Sequence, residues 1–300
     1  MNAQEVVLDA QRRKTVIPAF NIPYLPMVEP VAEAIADEKI LAIIQVARAE
    51  WEKFSAQSLE DVAREYRKHE KPGFTLLGLD HVPVIDEDYK NVDYKEIILR
   101  AIEAGYQSVL IDGSRLDLEA NIAATREVAE MVHREGLACE GELGSVMGHE
   151  SGPAKPYEEI FQARLGFTDL EEAKRFVVET QCDWLSVAVG NIHGAIAEAT
   201  RSQKKPTARL DIDHIRKLYQ ITGIPLVLHG GSGIPAEYIR QSITAGIAKI
   251  NIGAEIRQAY EKSMEETSGN VVAAQKRVYL HVREIITDIL GPPESRSSGG

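Results

Sequence analysis

Residues 108–143 read SVLIDGSRLDLEANIAATREVAEMVHREGLACEGEL, which is one complete strand–helix–strand unit. The apolar runs at 108–111 and 138–143 have the length and composition of buried strands. Between them, apolar residues at helical spacing over 118–135 predict an amphipathic helix, and Gly136 follows where such a helix ends. Two buried strands joined by one helix predict a parallel pair.

The same unit recurs along the chain. Eight short apolar runs are predicted strands, at residues 16–20, 41–46, 74–79, 108–111, 138–143, 184–189, 225–228 and 248–252. Most are continuous rather than alternating, as is typical of parallel strands covered by helices. Further helices are predicted over 211–219, over 235–244 and from Thr168, which we expect to be an N-cap. Strand and helix alternating eight times in about 250 residues predicts an α/β protein, a single (β/α)₈ TIM barrel.

No linker divides this series, so we expect one domain over residues 1–291. The segment 292–300, PPESRSSGG, is small and polar, and we expect it to be a disordered tail whose composition fits an appended remnant. A doubly wound open sheet is the alternative fold. It requires a reversal of strand order, for which the sequence carries no marker.

Composition restricts the classes of partner. The chain has 300 residues, 44% of them hydrophobic, and a formal net charge of −12. Such an acidic surface disfavours nucleic acid and anionic membranes. The sequence has neither an apolar signal core at its N-terminus nor a run of about 18 apolar residues, so we expect a cytoplasmic protein without a membrane span. Cys139 and Cys182 are expected to be free, buried thiols.

Three of the eight histidines follow the ends of predicted strands, namely His81, His193 and His229 after strands three, six and seven. The others that lie in helical, polar contexts are expected at the surface (His69, His133, His214 and His281). Because all strands of a barrel end at one rim, the first three histidines are predicted to meet there. Three imidazoles suit zinc with an open coordination position, which is the catalytic arrangement.

A glycine loop follows the third of these histidines. His229 is followed by Gly230, Gly231, Ser232 and Gly233 just before a predicted helix. Such a loop exposes backbone N–H groups and a hydroxyl, which is how proteins cradle phosphate and other anions. The sequence therefore predicts an anion site beside the metal.

Several segments together resemble the class II fructose-bisphosphate and tagatose-bisphosphate aldolases. They are IPAFN at 17–21, LDH at 79–81, SVLIDGS at 108–114, EGELG at 140–144, VAVGNIHG at 187–194, PLVLHGGSGIP at 225–235 and KINIG at 249–253. Their order and spacing match the family from about residue 5 to residue 290. The combination is specific to the family, although no single segment is.

The resemblance implies a role for each matching residue. His81, His193 and His229 bind the catalytic Zn²⁺, and Glu142 and Asp112 support it or form a second metal position, which leaves open a second divalent or a monovalent cation. Asp80 handles the proton of the C4 hydroxyl, Glu150 moves the enediolate proton, and Asn251 and Asn21 bind the substrate. The positions that grip the ketone-side phosphate are Gly194, Gly230, Gly231, Ser232 and Gly253. The resemblance also implies a small-molecule sugar substrate and a homodimer or homotetramer.

Three positions depart from the family pattern. Ala47, Ala197 and Ala254 stand where family members carry side chains that contact the phosphates of the substrate. We therefore expect an altered or absent phosphate contact, with Arg48 as a possible replacement charge. The glycine loop remains, so one anion still has a binding site.

Three other functions compete with a zinc aldolase. A Schiff-base aldolase needs a lysine inside the barrel, and we expect Lys249, the only lysine in a predicted strand, to point away from the site or to flank it. A non-catalytic aldolase-like subunit would be favoured by loss of Asp80 or of the histidines, all of which are present. Another zinc-dependent barrel enzyme acting on sugars would carry an HxH pair after the first strand, where the sequence has Phe20 and Asn21.

Overall fold

Eight parallel strands close into a barrel in sequence order in this computed structural model, which describes residues 2–146, 157–192 and 208–292. The strands are β1 Ile17–Asn21, β2 Ala42–Ala47, β3 Thr75–Pro83, β4 Ser108–Asp112, β5 Ala138–Leu143, β6 Trp184–Val187, β7 Leu226–Leu228 and β8 Ile247–Ile252. Since β1 pairs with both β2 and β8, the sheet has no free edge. The predicted (β/α)₈ barrel is confirmed, and the doubly wound alternative is wrong.

Helices separate consecutive strands and cover the outside of the barrel. They are α1 Ala3–Arg12, α2 Val28–Asp37, α3 Arg48–Lys53, α4 Leu59–His69, α5 Tyr94–Glu103, α6 Leu118–Arg134, α7 Tyr157–Gln162, α8 Leu170–Thr180, α9 Ile212–Thr222, α10 Ala236–Ala245, α11 Ala254–Glu266 and α12 Val271–Leu290. A 3₁₀ turn, Leu25–Met27, precedes α2. None of the helices in the described ranges is long and apolar enough to cross a membrane.

The interior of the barrel is apolar at one end and polar at the other. Helix α1 closes the N-terminal end, where its Val7 belongs to one buried cluster with Ile17, Ile43, Leu76 and Trp184. Towards the C-terminal end the inward side chains are buried but polar, and they include Asn21, Gln45, Asp80, Glu140, Glu142, Lys249 and Asn251. Buried polar groups are costly unless they are paired. Because such departures from an apolar core are expected at functional sites, we expect the functional site at this end of the barrel.

Strand β3 runs further than its apolar pattern predicts. The prediction ended it at Leu79, whereas the strand continues to Pro83. Its register against β4 shifts between Leu79 and Val82, and His81 within that shift has a φ of 20°. A bulge of this kind re-aims a side chain. It therefore allows consecutive residues, Asp80 and His81, both to serve the cavity.

Other sequence predictions concern a helix cap, a histidine, the two cysteines and the C-terminal segment. Asp169, not Thr168, caps helix α8, because its carboxylate accepts from the N–H groups of the first turn. His214 is buried, not at the surface, and its ring contacts the carbonyl of Thr168 at 2.8 Å. Cys139 and Cys182 are free and buried, as expected. The predicted tail lies outside the described residues from 293 onward.

Candidate metal centre and active site

Two histidines and two carboxylates converge at the C-terminal end of the barrel. Nδ1 of His81 lies 3.4 Å from Oδ2 of Asp112 and 3.6 Å from Oε2 of Glu142. Nδ1 of His229 lies 3.5 Å from the same Glu142 oxygen. The four residues come from four different strands or their ends, so the closed barrel itself creates the cluster.

The spacing of these atoms fits a divalent cation. Ligand atoms at zinc distances of 2.0–2.2 Å in a tetrahedron lie about 3.4 Å apart, and the observed separations are 3.4–3.6 Å. Oε2 of Glu142 is buried and accepts no hydrogen bond from the described residues. Buried polar atoms normally have a partner, and a bound metal ion would supply one to this oxygen. The donor set, imidazole with carboxylate, suits zinc.

The ring of His229 is oriented by a second buried pair. Oε1 of Glu140 lies 2.9 Å from Nε2 of His229, and Nζ of Lys249 donates to Oε2 of Glu140 at 2.8 Å. Burial alone would raise the pKa of Glu140, but Lys249 and His229 hold the pKa below its usual value. Ionised Glu140 accepts the Nε2 proton, so the lone pair of the His229 ring is on Nδ1, which lies towards the cluster.

Of the two alternatives expected for Lys249, pointing away from the site is wrong, and flanking the site agrees with its contacts. It lies inside the barrel and is buried. Its ammonium group also donates to Oδ1 of Asn251 at 2.8 Å. Residues two apart in a strand share a face, so Lys249 and Asn251 lie on the same side of β8.

Asp80 is held by two amide groups. Nδ2 of Asn21 donates to Oδ2 of Asp80 at 2.8 Å, and Nδ2 of Asn251 donates to Oδ1 at 2.9 Å. Burial raises the pKa of Asp80, but nearby His81, His229 and Lys249 outweigh that effect, so the pKa lies below its usual value. The amide orientations are fixed in turn, since Gln45 donates to Asn21 and Lys249 donates to Asn251. Asp80 is thus a buried carboxylate with a lowered pKa, held in one orientation.

The glycine loop and the start of α11 form one wall of the cavity. Gly230, Ser232, Gly253 and Ala254 all line it. The hydroxyl of Ser232 accepts from the N–H of Glu255 at 3.3 Å, which ties the loop to the first turn of α11. Gly231 differs from the prediction of a substrate contact, because its N–H donates to the carbonyl of Asn251 at 2.9 Å. A Cβ there would lie 2.6 Å from the side chain of Ile250, so the glycine is required for packing.

The cavity is also lined by Ala47 and by three arginines, Arg48, Arg115 and Arg257. Arg48 does not offer a free replacement charge, because it pairs with Glu52 at 2.8 Å and with Asp86 at 3.6 Å. Arg257 pairs with Glu261 at 2.7 Å. The guanidinium of Arg115 lies over the ring of Tyr89.

Four residues of the predicted site lie outside the described residues. They are Glu150, His193, Gly194 and Ala197. Their predicted roles, including that of His193 as a zinc ligand, remain predictions.

Two functional candidates, Glu140 and Glu50, were missed in the sequence, and Lys249 was considered only as a Schiff-base lysine. Glu140 and Lys249 each lie two residues before a predicted site residue on the same strand, so alternation could have placed both. Glu50 also lines the cavity. Its burial depends on the packing of α3 against β2 and β3, which no local pattern reveals.

Comparison with known proteins supports the class that this fold and site define. The family model for class II fructose-bisphosphate aldolases matches residues 1–290, and the chain belongs to that family. A fructose-bisphosphate aldolase of Streptococcus pyogenes is 37% identical over 179 residues, which is 59% of this chain and 56% of that protein. The chain thus aligns with little more than half the length of such curated relatives.

Solved structures show the same fold. The YdjI aldolase from Escherichia coli K12 is 26% identical and has a TM-score of 0.75, with 96% of each chain covered. A fructose-bisphosphate aldolase from Campylobacter jejuni is 14% identical with a TM-score of 0.73, covering 98% of this chain and 96% of its own. The latter likeness concerns the fold alone.

Proposed function

We propose that this protein is a zinc-dependent class II aldolase, a carbon–carbon lyase that reversibly cleaves a ketose or ketose phosphate. The observation that carries the proposal is the juxtaposition of a cation-sized cluster, formed by His81, His229, Glu142 and Asp112, with the ionised base Asp80. Family membership supports it. His193 is proposed as the third imidazole ligand.

Each described residue has a task in this chemistry. A bound divalent cation would supply Lewis-acid stabilisation for the charge that develops on the ketone oxygen during cleavage. Asp80 takes the proton of the C4 hydroxyl as the carbon–carbon bond breaks. Asn21 and Asn251 hold Asp80 at the required position with their amide groups. Glu150 is proposed to return a proton to carbon on the ketone side.

The cavity walls favour a substrate with a single strongly held anion. The loop after β7 and the N-terminus of α11 present the backbone N–H groups that bind phosphate in many barrels. The side chain of Ala47 offers no hydrogen bond, and Arg48 and Arg257, which also line the cavity, are already paired with carboxylates. We propose a ketose carrying one phosphate, or another single anion, on the ketone half.

A non-catalytic aldolase-like subunit is the second candidate. It is disfavoured because Asp80 and the described metal-ligand candidates are all present and grouped. A cytoplasmic location and assembly as a homodimer or homotetramer remain predictions from the sequence.

A substrate panel tests the proposal. Zinc-loaded protein is given bisphosphorylated, monophosphorylated and phosphate-free ketoses, and cleavage is followed through the triose product. We expect kcat/KM for the monophosphorylated class to equal or exceed that for the bisphosphates. A kcat/KM for fructose or tagatose bisphosphate far above that for every other ketose would contradict the altered phosphate pocket. Failure to cleave any ketose would contradict the aldolase proposal itself.

A further inference from the structure

A buried carboxyl group faces the cavity on the side away from the glycine loop. Glu50 is the third residue of α3, directly after β2, and is 9% exposed. Its Oε2 accepts the N–H of Ala47 at 2.7 Å, which caps the helix. Its other oxygen, Oε1, accepts no hydrogen bond from the residues described in this structure. Glu50 lines the cavity, so a polar group of the substrate can supply the missing partner.

Glu50 is joined to the reacting centre through a single amide group. Nδ2 of Asn21 lies 2.8 Å from Oδ2 of Asp80 and 3.5 Å from Oε2 of Glu50. Asp80 handles the hydroxyl on C4 in the proposed function, so Glu50 neighbours the carbons beyond C4. The glycine loop, which holds the ketone-side anion, follows β7, and Glu50 follows β2, with β8 and β1 between them.

We propose that Glu50 binds a hydroxyl group on the aldehyde-derived half of the substrate, so that this half is an uncharged, hydroxylated chain and not a phosphorylated one. The inference rests on the proposed aldolase function and deepens it. The carboxyl group of Glu50 itself offers no positive charge to a terminal phosphate, whereas it can donate to or accept from a hydroxyl. A buried, hydrogen-bonding group discriminates strongly against a ligand that leaves it unpaired.

The protonation state of Glu50 agrees with this role. Burial raises the pKa of Glu50 to about 8, against the lowering effect of the Ala47 hydrogen bond. Near neutral pH the group is therefore mostly an uncharged acid, with one hydrogen to donate. Its neutrality also leaves Asp80 as the ionised member of the two carboxyl groups that share Asn21.

The test uses the condensation reaction of the zinc-loaded full chain. Dihydroxyacetone phosphate is combined with glyceraldehyde, with propanal, which lacks both hydroxyls, or with glyceraldehyde 3-phosphate. Glu50→Leu and the smaller Glu50→Ala remove the hydrogen-bonding group, and Glu50→Gln retains one. Glu65→Gln, on α4 and outside the cavity, is the control because its partner Lys68 does not line the cavity either. Zinc content and circular dichroism establish that each variant is folded. Ratios of kcat/KM cancel the intrinsic reactivity of the aldehydes.

We expect glyceraldehyde to match or exceed glyceraldehyde 3-phosphate in the parent protein. The preference for glyceraldehyde over propanal should fall about 2- to 12-fold in Glu50→Leu or Glu50→Ala, which is the range expected for the loss of one hydrogen bond. The change should come from a higher KM for glyceraldehyde. Glu50→Gln should keep most of this preference, and Glu65→Gln should keep all of it.

Two results overturn the inference. One is an unchanged ratio in the Leu and Ala variants. The other is glyceraldehyde 3-phosphate as the best aldehyde, which would point to Arg115 as a phosphate ligand. Exchange of deuterium into dihydroxyacetone phosphate, which needs no aldehyde, separates failure of this inference from failure of the proposed function. Deuterium exchange together with an unchanged ratio of kcat/KM values would contradict only the role of Glu50. Absence of both exchange and condensation would contradict the aldolase proposal.

Discussion

Oε1 of Glu140 lies 2.9 Å from Nε2 of His229, and both side chains are buried. This contact fixes which ring nitrogen of His229 faces the metal cluster. Lys249 balances the charge of Glu140 on its other oxygen at 2.8 Å. The ligand geometry therefore depends on residues that never reach the cavity.

Weakening this support should weaken metal binding. In Glu140→Gln the orienting contact loses its charge, and Lys249 loses its partner. We expect the dissociation constant for Zn²⁺ to rise about 10- to 100-fold, the usual effect of removing the group that orients a ligand. Competition between apo-protein and a chelating dye measures it. Glu135→Gln, at the exposed end of α6, is the control, and equal affinity in both variants would show that Glu140 does not orient the ligand.

The ligands themselves can be tested by metal content. The parent protein is expected to hold about one catalytic zinc per chain. His229→Ala and His193→Ala should each lose retained zinc and cleavage activity, since three protein ligands are the usual minimum for a catalytic site. Elemental analysis after dialysis is the measurement, with His133→Ala as a control outside the cluster. Full zinc content in His193→Ala would remove that residue from the ligand set.

Asp80 should separate chemistry from metal binding. Asp80→Asn keeps the shape of the side chain and one of its two accepted hydrogen bonds, but it cannot accept the C4 hydroxyl proton. We expect zinc content to be retained and kcat to fall about 10²–10⁴-fold, as is typical when an acid/base group is removed. Turnover per bound zinc decides the matter. A metal-loaded variant with a nearly normal rate would rule out Asp80 as the base.

The stability of the apo-protein should depend on pH through Glu50. Its pKa is about 8 in the folded chain against 4.5 when unfolded, so the folded state binds more protons between these values. The free energy of unfolding therefore falls as pH rises across this range, by at most about 1.4 kcal/mol per pH unit. Glu50→Gln carries no such charge, so it should gain stability over the parent from pH 5 to pH 9. Urea midpoints at both pH values test this, and a difference that does not vary with pH would contradict the raised pKa.

The fold follows from the sequence because its signal is repeated and local. Each buried strand is a short apolar run, and a closed parallel barrel brings all strand ends to one rim, so His81 and His229 could be placed together before the structure. The bulge at His81 and the burial of Glu50 were not predictable, because both arise from tertiary contacts: the register of β3 against β4, and the packing of α3 on the barrel. The position of Lys249 inside the barrel follows from strand alternation, since it lies two residues before Asn251.

Zinc-dependent carbon–carbon cleavage is the central claim, and chelation tests it most directly. The protein is stripped with a chelator, then reloaded with Zn²⁺, and the exchange of deuterium into dihydroxyacetone phosphate is followed by NMR together with cleavage of a ketose 1-phosphate. We expect both reactions to disappear in the stripped protein and to return in proportion to bound zinc, saturating near one ion per chain. Cleavage that persists without metal, and that is lost on borohydride trapping through Lys249, would contradict it and establish Schiff-base chemistry instead.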